Sequence, residues 1–183
     1  IESHKNALKI KPDYAEGYNN LGIIFLEVGR IDEAVQNYEK ALLIKPDYIE
    51  VHNNLGVAFK DLGRISEAVK SYKNAIAIKS NYAEAHNNLG IAFMDIGQLD
   101  EAVTSYENAL AAKPNYAFAY NNLGAALNGL HRLNEAAICF DKALSINPNY
   151  AEAYSNRGNL MTDCDKLDEA LLCYEKAYEL RPG

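Results

Sequence analysis

Basic residues are in deficit in this chain. Eighteen Lys and Arg stand against 25 Asp and Glu, a formal charge of -7 with a pI near 5.1. Nucleic acid or an anionic membrane as main partner would need a clustered basic face, so the deficit excludes both and favours protein partners. No apolar run approaches the roughly 18 residues of a membrane span, and no signal-peptide pattern opens the chain. Cysteine occurs three times, at Cys139, Cys164 and Cys173, an odd number without regular pairing distances. That usage points to a reducing compartment and hence to a cytoplasmic location. A Gly-rich phosphate loop, a nucleophile elbow and a His-acid constellation are all missing, so catalysis and cofactors are not expected within this stretch.

What is present is repetition. Shifting the sequence by 34 residues lays Asn19-Asn20-Leu21-Gly22 on Asn53 to Gly56, on Asn87 to Gly90 and on Asn121 to Gly124. A fifth copy, Ser155-Asn156-Arg157-Gly158, keeps the asparagine and the glycine. Full copies start at Ala15, Ile49, Ala83, Ala117 and Ala151, preceded by half a copy over residues 1–14. The expected domain plan is therefore a single array over 1–183, with copies at 15–48, 49–82, 83–116, 117–150 and 151–183. The chain opens on Ile1 partway through a copy, which suggests an excerpt of something longer.

Within a copy, positions 4, 7, 8 and 11 form a helical stripe: Tyr18, Leu21, Gly22 and Phe25 in the first. Ala34, Tyr38 and Ala41 repeat the pattern in the second half. Each copy thus reads as helix, turn, helix, all-α, with a core that only a neighbouring copy can complete. Gly29, Gly63 and Gly97 are expected as left-handed ends of the first helices. Asp32, Ser66, Asp100, Asn134 and Asp168 are expected to cap the second helices, with Glu33 and its equivalents following in the first turn. Asp47 with Glu50, and Asn81 with Glu84, have capping-box spacing for the next first helix. Pro46, Pro114, Pro148 and Pro182 close second helices, so the connections are tight turns without a flexible boundary.

The combination of an aromatic or His at position 4, Leu at 7, Gly at 8, Phe or Leu at 11, Ala at 20, Tyr or Phe at 24, Ala at 27 and Pro at 32 resembles the tetratricopeptide repeat, TPR. The resemblance implies a right-handed superhelical α-solenoid with first helices on its concave side, and a role in binding protein segments. The "NNLG" and "KPDYAEA" phrases are similar to the repeat region of O-linked N-acetylglucosamine transferases. Small Gly22 and its equivalents fit a close helix crossing, and Tyr38, Tyr72, Tyr106, Phe140 and Tyr174 fill space between units. Departures are Ser80 for the proline, His131 and Asp165 for the turn glycine, and Arg157 for the core leucine. They predict less regular fourth and fifth copies, with Arg157 paired to an acidic neighbour or reaching solvent.

Opposite the core stripe, positions 2, 5, 6, 9, 12 and 13 are expected to line a groove. The candidate site comprises Asn20, Asn54, Asn88, Asn122 and Asn156, the neighbouring Asn19, Asn53, Asn87 and Asn121, the apolar row Ile23, Val57, Ile91 and Ala125, and the acidic row Glu27, Asp61, Asp95 and Asp163. An asparagine offers donor and acceptor together, so a ladder of them can hold an extended peptide by its backbone. The alternative is that the amides bond to neighbouring repeats. At about 0.5 to 1.5 kcal/mol per net hydrogen bond, the ladder alone would barely offset the cost of immobilising a peptide. Apolar contact or acidic steering of a basic segment must add to it. Position-2 glutamates such as Glu16, Glu50, Glu84 and Glu152 have a second reading as capping-box residues.

A carboxylate clamp for chaperone tails would need basic groove residues, and Lys60 alone is basic on that stripe. His52 and His86, at position 4, lack converging partners for a metal and read as core residues. Cys139 and Cys173 are equivalent positions on helices about 8 to 10 Å apart, beyond disulfide reach, and read as small packing residues. Three functions remain in view: a peptide-binding scaffold, the substrate-recognition arm of a larger enzyme such as a glycosyltransferase, and a self-association module using the apolar residues between Glu169 and Leu180.

Overall fold

The computed structural model describes residues 11–181 and contains, among them, ten α-helices and no strand. First helices are α1 (Ala15–Glu27), α3 (Ile49–Asp61), α5 (Ala83–Asp95), α7 (Ala117–Gly129) and α9 (Ala151–Asp163). Second helices are α2 (Ile31–Ile44), α4 (Ile65–Ile78), α6 (Leu99–Ala112), α8 (Leu133–Ile146) and α10 (Leu167–Leu180). The first part of the expected half repeat, residues 1–10, and Pro182 lie outside the described residues. Contacts divide the chain within α5 into two units, one ending at Ala92 and one beginning at Phe93.

In the first unit α1 packs on α2 and α3 on α4, while α3 also packs on α2 and touches α1. In the second unit α7 pairs with α8 and α9 with α10, with α6 on α7, α8 on α9 and α7 touching α9. These are the stacked helical hairpins that the period predicts. Ala34, Ala41, Ala68 and Ala75 in the first unit, and Ala102, Ala109, Ala136 and Ala143 in the second, lie at the hairpin cores with no exposed surface. Against them sit Tyr38, Tyr72, Tyr106 and Phe140, fully buried, whereas Tyr174 on α10 is half-exposed.

The glycine at position 8 makes room for that ring. A Cβ built on Gly22 would stand 2.5 Å from Tyr38 Cε1, and one on Gly124 would stand 2.7 Å from Phe140 Cε1. Burial of the first helices is wider than the four-position stripe. Val51, Ala85, Ala119 and Ala153 at position 3, and Ala58, Ala92, Ala126 and Leu160 at position 10, are also buried. A first helix packs on its own partner and on neighbouring copies, so more than one flank leaves water.

Turns at the ends of the first helices share one geometry. Gly29, with φ of 75°, donates to Leu26, and Arg30 donates to Phe25, the paired bonds of a Schellman cap. His131 and Asp165 hold the same left-handed backbone at φ of 57°. Their bonds match too: His131 to Asn128, Arg132 to Leu127, Asp165 to Thr162 and Lys166 to Met161. The expected irregularity of the fourth and fifth copies is thus absent from their turns, because the cap hydrogen bonds impose the conformation on residues that do not prefer it.

The second helices are capped by other residues than the sequence predicts. Arg30, Arg64, Gln98, Arg132 and Lys166 hold the cap positions of α2, α4, α6, α8 and α10, and no side-chain cap bond forms there. Asp32, Ser66, Asp100, Asn134 and Asp168 lie further on, inside the first turn. Arg30, Arg64 and Arg132 instead pair with Glu33, Glu67 and Glu135, three residues downstream. Tyr48, not Asp47, occupies the cap of α3, again without a side-chain bond.

Candidate peptide-binding face

At about 100° per residue, positions 2, 6, 9 and 13 of a first helix fall within roughly 60° of one another, while 5 and 12 stand to the side. Exposure follows that division. Glu27, Asp61, Asp95 and Asp163 at position 13 are exposed, and Ile23, Val57, Ile91 and Ala125 at position 9 are half-buried. At position 6, Asn20 is exposed and Asn54, Asn88, Asn122 and Asn156 are half-buried. At position 5, by contrast, Asn19, Asn53, Asn87 and Asn121 are all buried, with Asn121 at 1% exposure. The expected six-position stripe is therefore narrower, and its position-5 members turn toward the adjoining repeat.

The two asparagine columns are joined. Asn54 Nδ2 donates to Asn19 Oδ1 (3.2 Å) and Asn88 Nδ2 to Asn53 Oδ1 (3.0 Å) in the first unit. In the second unit Asn156 Nδ2 donates to Asn121 Oδ1 (2.9 Å). Each bond runs from position 6 of one copy to position 5 of the copy before it, so the inter-repeat role considered from the sequence is real. It uses one of the two amide protons of Asn54, Asn88 and Asn156. Among the described residues their Oδ1 atoms accept no protein bond. Buried Asn121 is engaged further, its Nδ2 donating to Tyr150 Oη (3.4 Å) and Glu152 Oε1 (3.3 Å).

The acidic row is partly occupied. Asp61 lies 3.4 Å from Lys60 Nζ, and Asp163 accepts from Asn128 Nδ2 at 3.0 Å. Arg157 is paired to an acidic neighbour as the sequence suggests, its Nε donating to Asp141 (2.8 Å) and its Nη1 to Cys173 Sγ (3.1 Å). His52 and His86 each bond through Nε2 to a backbone carbonyl, of Pro46 and Ser80 respectively, both at 2.8 Å. A carbonyl can only accept, so Nε2 carries the proton in both rings. Cys139, Cys164 and Cys173 are free thiols. Burial first, then Glu135, pushes the Cys139 thiol up to about 11. Among the described residues no group of three or more His, Cys, Asp or Glu could hold a metal ion, and no helix is long and apolar enough to cross a membrane.

One exposed residue escaped the sequence reading. Phe118 holds position 2 in the fourth copy, where the other copies carry Glu16, Glu50, Glu84 and Glu152. It is 55% exposed and lies edge-on to Tyr150 (5.1 Å between centroids) and Tyr116 (6.3 Å). The signal was available as a break in an otherwise acidic column.

Stacked hairpins with an amide-bearing exposed face define a helical-repeat scaffold of the kind that binds proteins. Family models described as TPR repeat match residues 24–63, 58–97 and 92–130, and models described as tetratricopeptide repeat match 5–36, 117–150 and 139–171. The chain belongs to the tetratricopeptide repeat family. No relative is found among curated proteins. Among solved structures it is similar to MamA, at 28% identity over 88% of this chain and 94% of that one, with a TM-score of 0.77. It is also similar to TTC0263, a thermophilic TPR protein of Thermus thermophilus, at 25% identity over 92% of each chain and a TM-score of 0.78. YrrB, a TPR protein with an unusual peptide-binding site, shares the fold at 21% identity and a TM-score of 0.74, over 98% of this chain and 92% of that one.

Proposed function

We propose that this chain is a protein-interaction scaffold that holds an extended, basic peptide segment along the exposed face of its first helices. The observation that carries this reading is the state of the position-6 amides. Asn54, Asn88 and Asn156 are fixed by bonds to neighbouring copies, yet among the described residues each keeps an unbonded Oδ1 and a second N–H on a half-exposed side chain. A side chain already ordered has less rotamer entropy to lose on binding, so its bonds to a peptide backbone cost less. The aliphatic Ile23, Val57 and Ile91 supply apolar contact, and Glu27 and Asp95 steer a cationic segment. A cytoplasmic location belongs to the same proposal.

The test is Asn54→Ala combined with Asn88→Ala and Asn122→Ala. Loss of partner capture with helicity intact supports the reading, and unchanged capture returns the amides to a purely inter-repeat role. The same face would serve equally in the substrate-recognition arm of a larger enzyme such as an O-linked N-acetylglucosamine transferase, which a nucleotide-sugar domain in the same polypeptide would support. Self-association is the other reading, favoured by α10, where Leu171, Leu172 and Tyr178 are 57%, 66% and 69% exposed. Sedimentation across a range of concentrations tests it, and a strictly monomeric species sinks it.

A further inference from the structure

Phe118 and Glu152 occupy the same position in consecutive copies. In the first unit this chain twice builds the same three-part contact: an arginine stacked on a phenylalanine and paired with a glutamate. Arg30 lies 4.7 Å from the centre of the Phe25 ring and pairs with Glu33. Arg64 lies 4.4 Å from the centre of the Phe59 ring and pairs with Glu67. A guanidinium suits both partners at once, because its plane stacks on the ring while its edge donates to the carboxylate.

In the second unit Phe118 and Glu152 are linked through Tyr150 and Asn121, and the cations nearby are engaged differently: Lys113 lies 4.5 Å from the centre of the Tyr116 ring, and Arg181 acts on Tyr150 through its charge. The Phe118 ring packs on Tyr150, and Tyr150 Oη shares the Asn121 amide with Glu152 Oε1. Glu152 is exposed, and its Oε2 accepts nothing from the described residues. Arg181 lines the same crevice of about 410 Å³ as Glu152 and makes no bond to it. Phe118 and Glu152 both stand at position 2, on the exposed face that also carries Asn122 and Asn156 one turn later. Elsewhere in that column the residue is a glutamate, so an aromatic partner for a cation is offered in the fourth copy alone.

We propose that Phe118 and Glu152 form a specificity anchor for an arginine of the bound segment, the guanidinium stacking on the Phe118 ring and bonding to Glu152 Oε2. The inference rests on the peptide-binding reading above and adds to it the residue type that is selected. It also sets the register of the segment, because one arginine is fixed opposite the fourth and fifth copies.

The experiment is selection of a random dodecapeptide phage library on the 183-residue chain, followed by titration of the enriched peptides as synthetic compounds. Enriched peptides should share an arginine. Its replacement by citrulline, of the same shape without charge, and the variant Phe118→Leu should each weaken binding about 10-fold, the two losses not adding, in keeping with a cation-π contact plus a charged hydrogen bond. Phe118→Leu keeps an apolar side chain beside Tyr150 and adds no charge, and circular dichroism checks the fold. Glu152→Gln should weaken the arginine peptides and leave the citrulline peptides unchanged. Peptides that depend on Asn54, Asn88 and Asn122 but ignore Phe118→Leu and citrulline overturn the anchor and leave the groove standing. Failure to enrich any peptide, or peptides indifferent to all of these changes, overturns both.

Discussion

Asn88 donates through Nδ2 to Asn53 Oδ1 over 3.0 Å, joining side chains 35 residues apart in sequence. The two residues do different work. Asn53 is buried and serves stability, whereas Asn88 keeps a carbonyl on the exposed face that no described residue engages. Substitutions in the two columns should therefore separate stability from binding.

Asn121→Ala is the sharpest case of the first kind. Its amide bonds to Tyr150, Glu152 and Asn156, and the side chain is 1% exposed. Removing it leaves partners unsatisfied and a small void, an expected loss of about 2 to 3 kcal/mol. Urea unfolding measures it, and the equivalent position-6 change, Asn156→Ala, should cost about 1 kcal/mol or less.

Gly22→Ala should be as damaging as a buried clash. The new methyl would meet the ring of Tyr38 at 2.5 Å, costing about 1 to 3 kcal/mol unless the ring moves. Tyr38→Phe should do the opposite. Its hydroxyl is buried without a partner and the equivalent residue in the fourth copy is Phe140, so a gain of up to about 1 kcal/mol is expected in thermal unfolding.

Most of this packing was legible in the sequence, because a strict period aligns Gly22 with its equivalents and alanine with alanine. The burial of Asn19, Asn53, Asn87 and Asn121 was not. Whether a flanking position meets water or a neighbour depends on how one copy rests on the next, which a single helix's periodicity does not contain. The caps failed for a related reason: Asp32 satisfies the composition rule for a cap, but Arg30 takes the position and pairs with Glu33. Phe118 was legible as an exception in its column yet silent as to purpose until Tyr150 stood beside it.

His131→Gly and Asp165→Gly should each stabilise the chain. Both residues hold φ at 57°, a conformation that costs a non-glycine residue about 1 kcal/mol or more. An increase of about that size, read by thermal or urea unfolding, is expected for each. The reverse change, Gly63→Ala at φ of 72°, should destabilise by a similar amount.

Alkaline pH should weaken the fold over a defined window. Burial, aided by Glu27, pushes the Tyr38 phenol up to about 12 from its ordinary 10.0, and burial aided by Glu152 does the same for Tyr150. The folded chain keeps protons that the unfolded chain releases. Stability is therefore fully present below pH 10.0 and falls as pH rises toward 12. Urea midpoints across that range should drop, and Tyr38→Phe should flatten the decline.

Peptide binding by this chain requires the position-6 amides to meet the ligand. Side-chain amide resonances, assigned by NMR, report this directly during titration with an enriched peptide. The expected result is that Asn54, Asn88, Asn122 and Asn156 shift strongly while buried Asn19 and Asn53 move less. Shifts confined to second-helix residues, with the position-6 amides unmoved at saturation, would contradict it.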